Sequence, residues 1–121
     1  MDILIVEDNE AMRRLIRNVV CAPTDRCHEC PDGSQALAAY ARHRPDWVLL
    51  DIEMKTADGI AVAGQIHAAF PEAKILIITS YDDADLRRAA QAAGACGYVL
   101  KENLIEARRC CKPHFGTQTT S

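Results

Sequence analysis

Short, uninterrupted apolar runs separated by segments of helical period constrain this chain more than any other feature. The runs are Ile3-Leu4-Ile5-Val6, Trp47-Val48-Leu49-Leu50, Ile75-Leu76-Ile77-Ile78 and Tyr98-Val99-Leu100. A strand that is apolar at every position, rather than at every second one, has to be buried on both faces. Helices packed on either side of a parallel sheet provide that burial. Between the runs, Met12, Leu15, Ile16, Val19 and Val20 recur three and four residues apart, as do Ala36, Leu37, Tyr40 and Ala41. Ile60, Ala63, Ile66 and Phe70 repeat the pattern, followed by Leu86, Ala89, Ala90 and Ala93. This spacing predicts four helices. A weaker strand near Arg26 to Cys30 brings the strands to five, and a fifth helix is expected from about Glu102 to Cys111 with Leu104, Ile105 and Ala107 inward. The fold class is α/β, one sheet wound on both faces.

Punctuation agrees with these elements. Pro45 and Pro71 end the second and third helices, and Gly94 stands where a left-handed C-terminal cap is wanted. Asn9 and either Asp82 or Asp83 are short polar side chains able to accept from free N–H groups at helix starts. At 121 residues the chain is expected to form a single domain, with a frayed tail over about 111–121, where proline, glycine, threonine and serine accumulate.

The formal charge of −3 gives no basic surplus for phosphate backbones, so direct nucleic-acid binding by this chain is not expected. No apolar run approaches the ~20 residues of a membrane span, and the N-terminus lacks a signal-peptide pattern; a cytoplasmic location is the expectation. Six cysteines are many for this length, and Cys27-His28-Glu29-Cys30 superficially reads as a CxxC metal motif. On a strand, however, positions 27 and 30 point to opposite faces, and no second CxxC completes a tetrahedral site. Ordinary reduced thiols are expected.

In a parallel sheet of this class, ligands bind beyond the carboxyl ends of the strands. Here the first strand ends in Glu7-Asp8, the third in Asp51, the fourth in Thr79-Ser80 and the fifth in Lys101. Right-handed crossovers bring those four ends to one edge. Three carboxylates placed together raise one another's pKa unless a cation is present, and an oxygen-rich site of this kind suits Mg²⁺. Lys101 would then offer a positive charge and Thr79 a hydroxyl to phosphoryl oxygens, leaving Asp51, at the end of the central strand, as nucleophile for an aspartyl phosphate. Any one of these residues alone would read as a helix cap, a strand former or a surface lysine. Their joint placement carries the inference.

The motifs Ile3-Leu4-Ile5-Val6-Glu7-Asp8-Asn9, Leu49-Leu50-Asp51-Ile52-Glu53-Met54 with Asp58-Gly59, Ile77-Ile78-Thr79-Ser80, and Gly94-Ala95 with Gly97-Tyr98-Val99-Leu100-Lys101 resemble bacterial response regulator receiver domains, from Asp2 to about Arg109. Ala93-Gly94-Ala95 and Lys101-Glu102-Asn103-Leu104 resemble the NarL/FixJ subgroup, whose members usually continue into a helix-turn-helix domain. The resemblance implies a flavodoxin-like (βα)5 fold with strand order 2-1-3-4-5. It implies Asp51 as phosphoacceptor, and Glu7, Asp8, Asp51 and the Glu53 backbone carbonyl as Mg²⁺ ligands. Thr79 and Lys101 would bind the phosphoryl group, with Thr79 and Tyr98 as switch residues. It further implies a histidine kinase or a small phosphodonor, a transcriptional or protein output partner, and a chain that is no enzyme beyond its own phosphorylation and dephosphorylation. Homodimer formation on phosphorylation is left open.

Some residues depart from the family pattern. Lys55 and Glu102 stand where many receivers have proline, and Glu53 and Tyr81 occupy positions that tune phosphoryl lifetime in such domains. A degenerate receiver acting as a phosphorylation-independent docking or dimerisation module is the alternative. A phosphatase of the haloacid dehalogenase type would place its Asp-x-Asp pair on the first strand rather than the third. A flavodoxin-like FMN carrier would need a phosphate-cradling loop after the first strand.

Overall fold

In the computed structural model, which describes residues 1–112, five strands alternate with five α-helices. The strands are β1 (Asp2–Val6), β2 (Arg26–Cys30), β3 (Trp47–Asp51), β4 (Ile75–Thr79) and β5 (Gly97–Leu100). The helices are α1 (Glu10–Val20), α2 (Ala36–His43), α3 (Gly59–Ala69), α4 (Ala84–Ala92) and α5 (Leu104–Cys111). All pairings are parallel, in the order β2-β1-β3-β4-β5. This is the expected flavodoxin-like arrangement.

The continuous apolar runs are buried on both faces. Leu4, Val6, Val48, Leu50, Ile75 and Ile77 face α2, α3 and α4, where Tyr40, Val62, Ala63, Ile66 and Ala90 pack on them. Their neighbours Ile3, Ile5, Leu49, Leu76, Ile78 and Val99 face the other way, onto Ile16 and Val20 of α1 and Leu104, Ala107 and Cys111 of α5. Each fully buried aliphatic side chain contributes about 1.5–3 kcal/mol. β2, at the sheet edge, has only Cys30 fully buried, which is why its sequence signal is weak. Cys27 and Cys30 do fall on opposite faces, and all six cysteines are free thiols.

Helix ends follow the residues read as punctuation. Asn9 accepts from the Met12 N–H at 2.8 Å and Asp83 from the Leu86 N–H at 3.0 Å. Of the two candidates for the α4 cap, Asp83 holds the position. Gly94 adopts φ +104° after α4. Arg44, just before Pro45, closes α2 in a left-handed conformation at φ 44°.

Three expectations are corrected. Leu15 is 46% exposed and Ile105 58% exposed, so neither lies on its helix's inner face. The periodic stripe is narrower than the run of apolar residues. The last helix begins at Leu104, after a 3-10 turn over Lys101–Asn103, rather than at Glu102. Cys111 is not the start of a frayed tail: it ends α5 and is buried against the core. Residues 113–121 of the expected tail lie outside the described residues.

Gly59 ties the fold to the strand end that matters most. Its N–H donates to the Ile52 carbonyl at 2.8 Å, and a Cβ there would lie 2.0 Å from the Asp51 carbonyl oxygen and 2.6 Å from Ile52 Cα. Only glycine lets α3 begin this close to β3. Gly59→Ala is therefore expected to cost about 2–4 kcal/mol, because backbone on both sides must move. Urea unfolding of the variant beside the parent checks this.

Candidate functional site

Four strand ends meet at one edge of the sheet. β1 runs into Glu7 and Asp8, β3 ends in Asp51, β4 ends in Thr79, and the turn after β5 starts at Lys101. Glu7, Asp51 and Thr79 are the buried polar side chains among the described residues, at 1%, 3% and 1% exposure. Burying ionisable groups is costly unless they are paired. Here the partner is Lys101, whose Nζ lies 2.9 Å from Glu7 Oε1 and 3.3 Å from Asp51 Oδ1.

The pairing is incomplete. Among the described residues, Glu7 Oε1 and Asp51 Oδ2 accept no aligned hydrogen bond, Glu7 Oε1 being met only by the ion-pair contact with Lys101. Burial and then the neighbouring Glu7 charge, outweighing Lys101, push the Asp51 carboxyl up to about 7. Burial works against the Lys101 ammonium, yet the two carboxylates hold it above its ordinary value.

Surrounding groups fix the carboxylates in place. The Glu53 N–H donates to Asp51 Oδ1 at 3.3 Å and the Asn9 N–H to Glu7 Oε2 at 3.2 Å. Asp8 accepts from the Lys55 N–H at 2.7 Å. Glu7, Asp8 and Asp51 each present an oxygen within 4.8 Å of the others. One orphaned buried oxygen, a second met only by an ion pair, and an all-oxygen donor set fit a hard divalent cation.

The predicted switch and rim residues lie beside this cluster. Thr79 Oγ1 accepts from the Tyr81 N–H at 3.2 Å, and the Tyr98 hydroxyl donates to the Tyr81 carbonyl at 2.5 Å. The Arg87 guanidinium stacks over the Tyr98 ring at 4.5 Å. Tyr81 is 47% exposed, and the adjacent Glu53 carboxylate raises its phenol above the usual range. Glu53 itself bridges to Asp58, whose side chain caps α3.

Sequence reading missed Arg13 and the Lys55 backbone. Arg13 reaches the Glu7 carbonyl at 2.8 Å and Glu29 at 2.9 Å, with Arg17 on the same carboxylate at 2.6 Å. Two arginines one helical turn apart, opposite an acidic residue on the next strand, were the available signal.

The sequence model described as the response regulator receiver domain matches residues 3–108. The chain is 34% identical over 106 residues to the uncharacterized transcriptional regulatory protein YxjL of Bacillus subtilis, covering 86% of this chain and 49% of that protein. It is 33% identical over 99 residues to the chemotaxis protein CheY of Halobacterium salinarum, covering 82% of each. A two-component response regulator of the LuxR family from Aurantimonas sp. superposes with a TM-score of 0.81 at 26% identity, over 93% of this chain and 85% of that one. The chain thus spans about half the length of YxjL and most of CheY.

Burial of Asp51 couples folding stability to pH. A native carboxyl raised above its unfolded value near 4 keeps a proton that the unfolded chain has lost. Its contribution thus favours the fold at acid pH, below about 4, and is lost as pH rises through about 7. At pH 8 without divalent ions, Asp51→Asn is expected to stabilise the fold by on the order of 2 kcal/mol, since Lys101 retains Glu7. The urea midpoints should converge at pH 4.

Proposed function

We propose that this chain, which belongs to the response regulator receiver domain family, takes a phosphoryl group on Asp51 and passes the resulting change to an output partner. The single observation that carries the reading is the buried triad of Glu7, Asp51 and Lys101, with one Asp51 oxygen unpartnered among the described residues. The donor we infer is the phosphohistidine of a histidine kinase. A carboxylate oxygen of Asp51 attacks phosphorus, the phosphorus–nitrogen bond breaks, and imidazole leaves with a proton. Glu7, Asp8, Asp51 and the Glu53 carbonyl would hold Mg²⁺, which when bound offsets negative charge on the phosphoryl oxygens. Lys101 already stands at the Asp51 carboxylate, where its ammonium can meet a second phosphoryl oxygen.

The switch follows from what Thr79 now does. Its hydroxyl holds the Tyr81 N–H, and Tyr81 in turn holds Tyr98. A phosphoryl group on Asp51 draws the Thr79 hydroxyl to itself, which loosens Tyr81 and frees the Tyr98 ring to turn. Glu53 and Tyr81 at the rim tune the lifetime of the acyl phosphate, Tyr81 by shielding it from water and Glu53 by orienting water or repelling the phosphoryl group. We read residues 1–121 as one receiver unit in the manner of NarL/FixJ-like regulators. Transcriptional output would belong to a partner or to a longer chain, and homodimer formation on phosphorylation is part of the same reading. A docking module that has lost its chemistry is less consistent with the full set of acid, hydroxyl and ammonium groups. Among the described residues, no helix is long and apolar enough to cross a membrane.

Incubation with acetyl phosphate and Mg²⁺, followed by intact mass spectrometry, is expected to give a base-labile adduct of one phosphoryl group. It should be absent in Asp51→Asn and formed on the order of 100-fold more slowly in Lys101→Ala. No adduct from either acetyl phosphate or a phosphorylated kinase would overturn the proposal. Tyr81→Ala is expected to shorten the adduct's half-life, measured by the same method after donor removal.

A further inference from the structure

We propose that Cys21 and Cys27 form a redox-modification site that closes reversibly into an intramolecular disulfide when the chain meets a peroxide or a small-molecule disulfide. Their sulfurs lie 3.1 Å apart. Cys21 caps the C-terminus of α1, and Cys27 is the second residue of β2, in register with Ile3 of β1. Both are half-buried.

The intervening turn, residues 22–25, is clamped. The Asp25 N–H donates to the Ala22 carbonyl at 2.9 Å, and the Asp25 carboxylate accepts from the Ala22 N–H at 2.7 Å. The same carboxylate pairs with the Met1 ammonium and with Lys112. The backbone between the two cysteines is thus held in place. A cleft of about 270 Å³, lined by Arg17, Pro23 and Asp25 as well as both cysteines, gives a small oxidant access to the pair.

The other thiols lack this arrangement. Cys30 lies buried on the opposite face of the sheet, and Cys110 and Cys111 are adjacent helical positions that diverge. A soft metal is a poorer fit, because the cluster of three potential ligands found among the described residues is the acidic one.

Roles within the pair differ. The hydrogen bond shared with Cys27 lowers the Cys21 thiol, helped by Lys112 and Arg17 against burial and Asp25, and the same bond raises Cys27. Cys21 also lines a second cleft, shared with Lys112, that Cys27 does not reach, and it is the attacking thiolate. With peroxide, it takes one oxygen to become a sulfenic acid and the other oxygen leaves as water. The Cys27 sulfur then displaces the sulfenic oxygen as a second water. With a small-molecule disulfide, Cys21 forms the mixed disulfide and releases one thiol, and Cys27 releases the second. In each case the cysteines give up two protons and two electrons to the oxidant.

The test treats the full chain with hydrogen peroxide or oxidised glutathione, alkylates the remaining thiols, and digests with trypsin without reductant. Cleavage after Arg26 separates the two cysteines, so a disulfide appears as peptide 18–26 joined to peptide 27–42, in which fragment ions place the bond on Cys27 and the alkyl group on Cys30. That joined species, lighter by two hydrogens than its parts and released by dithiothreitol, is the expected result. It should be lost in Cys21→Ser and in Cys27→Ser and kept in Cys96→Ser and Cys110→Ser, with glutathione trapped on Cys21 in Cys27→Ser. Alkylation of both Cys21 and Cys27 in the oxidised parent chain would overturn the proposal, as would linkage of either to another cysteine. The parent map decides the question even where a serine variant folds poorly.

Discussion

A single ammonium shared between two buried carboxylates is the interaction on which the rest of this structure depends. Lys101 serves both Glu7 and Asp51, although in the sheet order β4 stands between β5 and β3, and β1 lies further still. Strands are about 4.8 Å apart, so the charge has to be carried laterally across roughly 10 Å to reach β3. A flexible four-carbon stem starting just beyond β5 spans that gap, as a short cationic residue on a neighbouring strand would not. Glu7, just past the end of β1, completes the reach from the other side. The sheet thereby sets two buried carboxylates at the ends of the adjacent strands β1 and β3 and brings their ammonium from beyond β5, two strands away from β3.

The loop between β3 and α3 carries the second constraint. Many receivers place proline where this chain has Lys55. Here the Lys55 N–H donates to Asp8 at 2.7 Å, a bond that proline cannot make. The substitution exchanges a stiff backbone for a direct hydrogen bond that orients one of the site's acids. Gly59 and the Asp58 cap finish the same loop by letting α3 start against the backbone of Asp51 and Ile52. Rigidity lost at one residue is supplied by two contacts close by.

How much of this could be read from the sequence follows from the range of the forces involved. Two-sided burial acts residue by residue, so the apolar runs marked β1, β3, β4 and β5 directly, and local caps such as Asn9 and Gly94 were equally legible. β2, half-covered at the edge, gave little signal because burial places few demands on it. The convergence of Glu7, Asp8, Asp51, Thr79 and Lys101 followed from topology. Helical period located each inner face but not its width, which depends on how closely the neighbour packs. That is why Leu15 and Ile105 were misassigned. The Arg13 bridge joins α1 to Glu7, just past β1, and to Glu29 of β2; the spacing of Arg13 and Arg17 marks a basic helix face but does not fix its partners.

Those bridging contacts also define how the two ends of α1 relate. From the Asn9 cap beside Glu7 to the Cys21 cap the helix spans about 18 Å along its axis. That length exceeds the Debye length of ~8 Å at physiological ionic strength, so exposed charges at one end of the helix are largely screened from those at the other. Mechanical continuity is another matter. Arg13 holds both the Glu7 carbonyl and Glu29, and Arg17, one turn further along, holds the same Glu29 at a point close to Cys27. A covalent bond between Cys21 and Cys27 would add a final rung to this ladder between α1 and β2. Its effect on the acidic edge would be to restrict relative motion of helix and strand, leaving the charges that set the Asp51 carboxyl as they are.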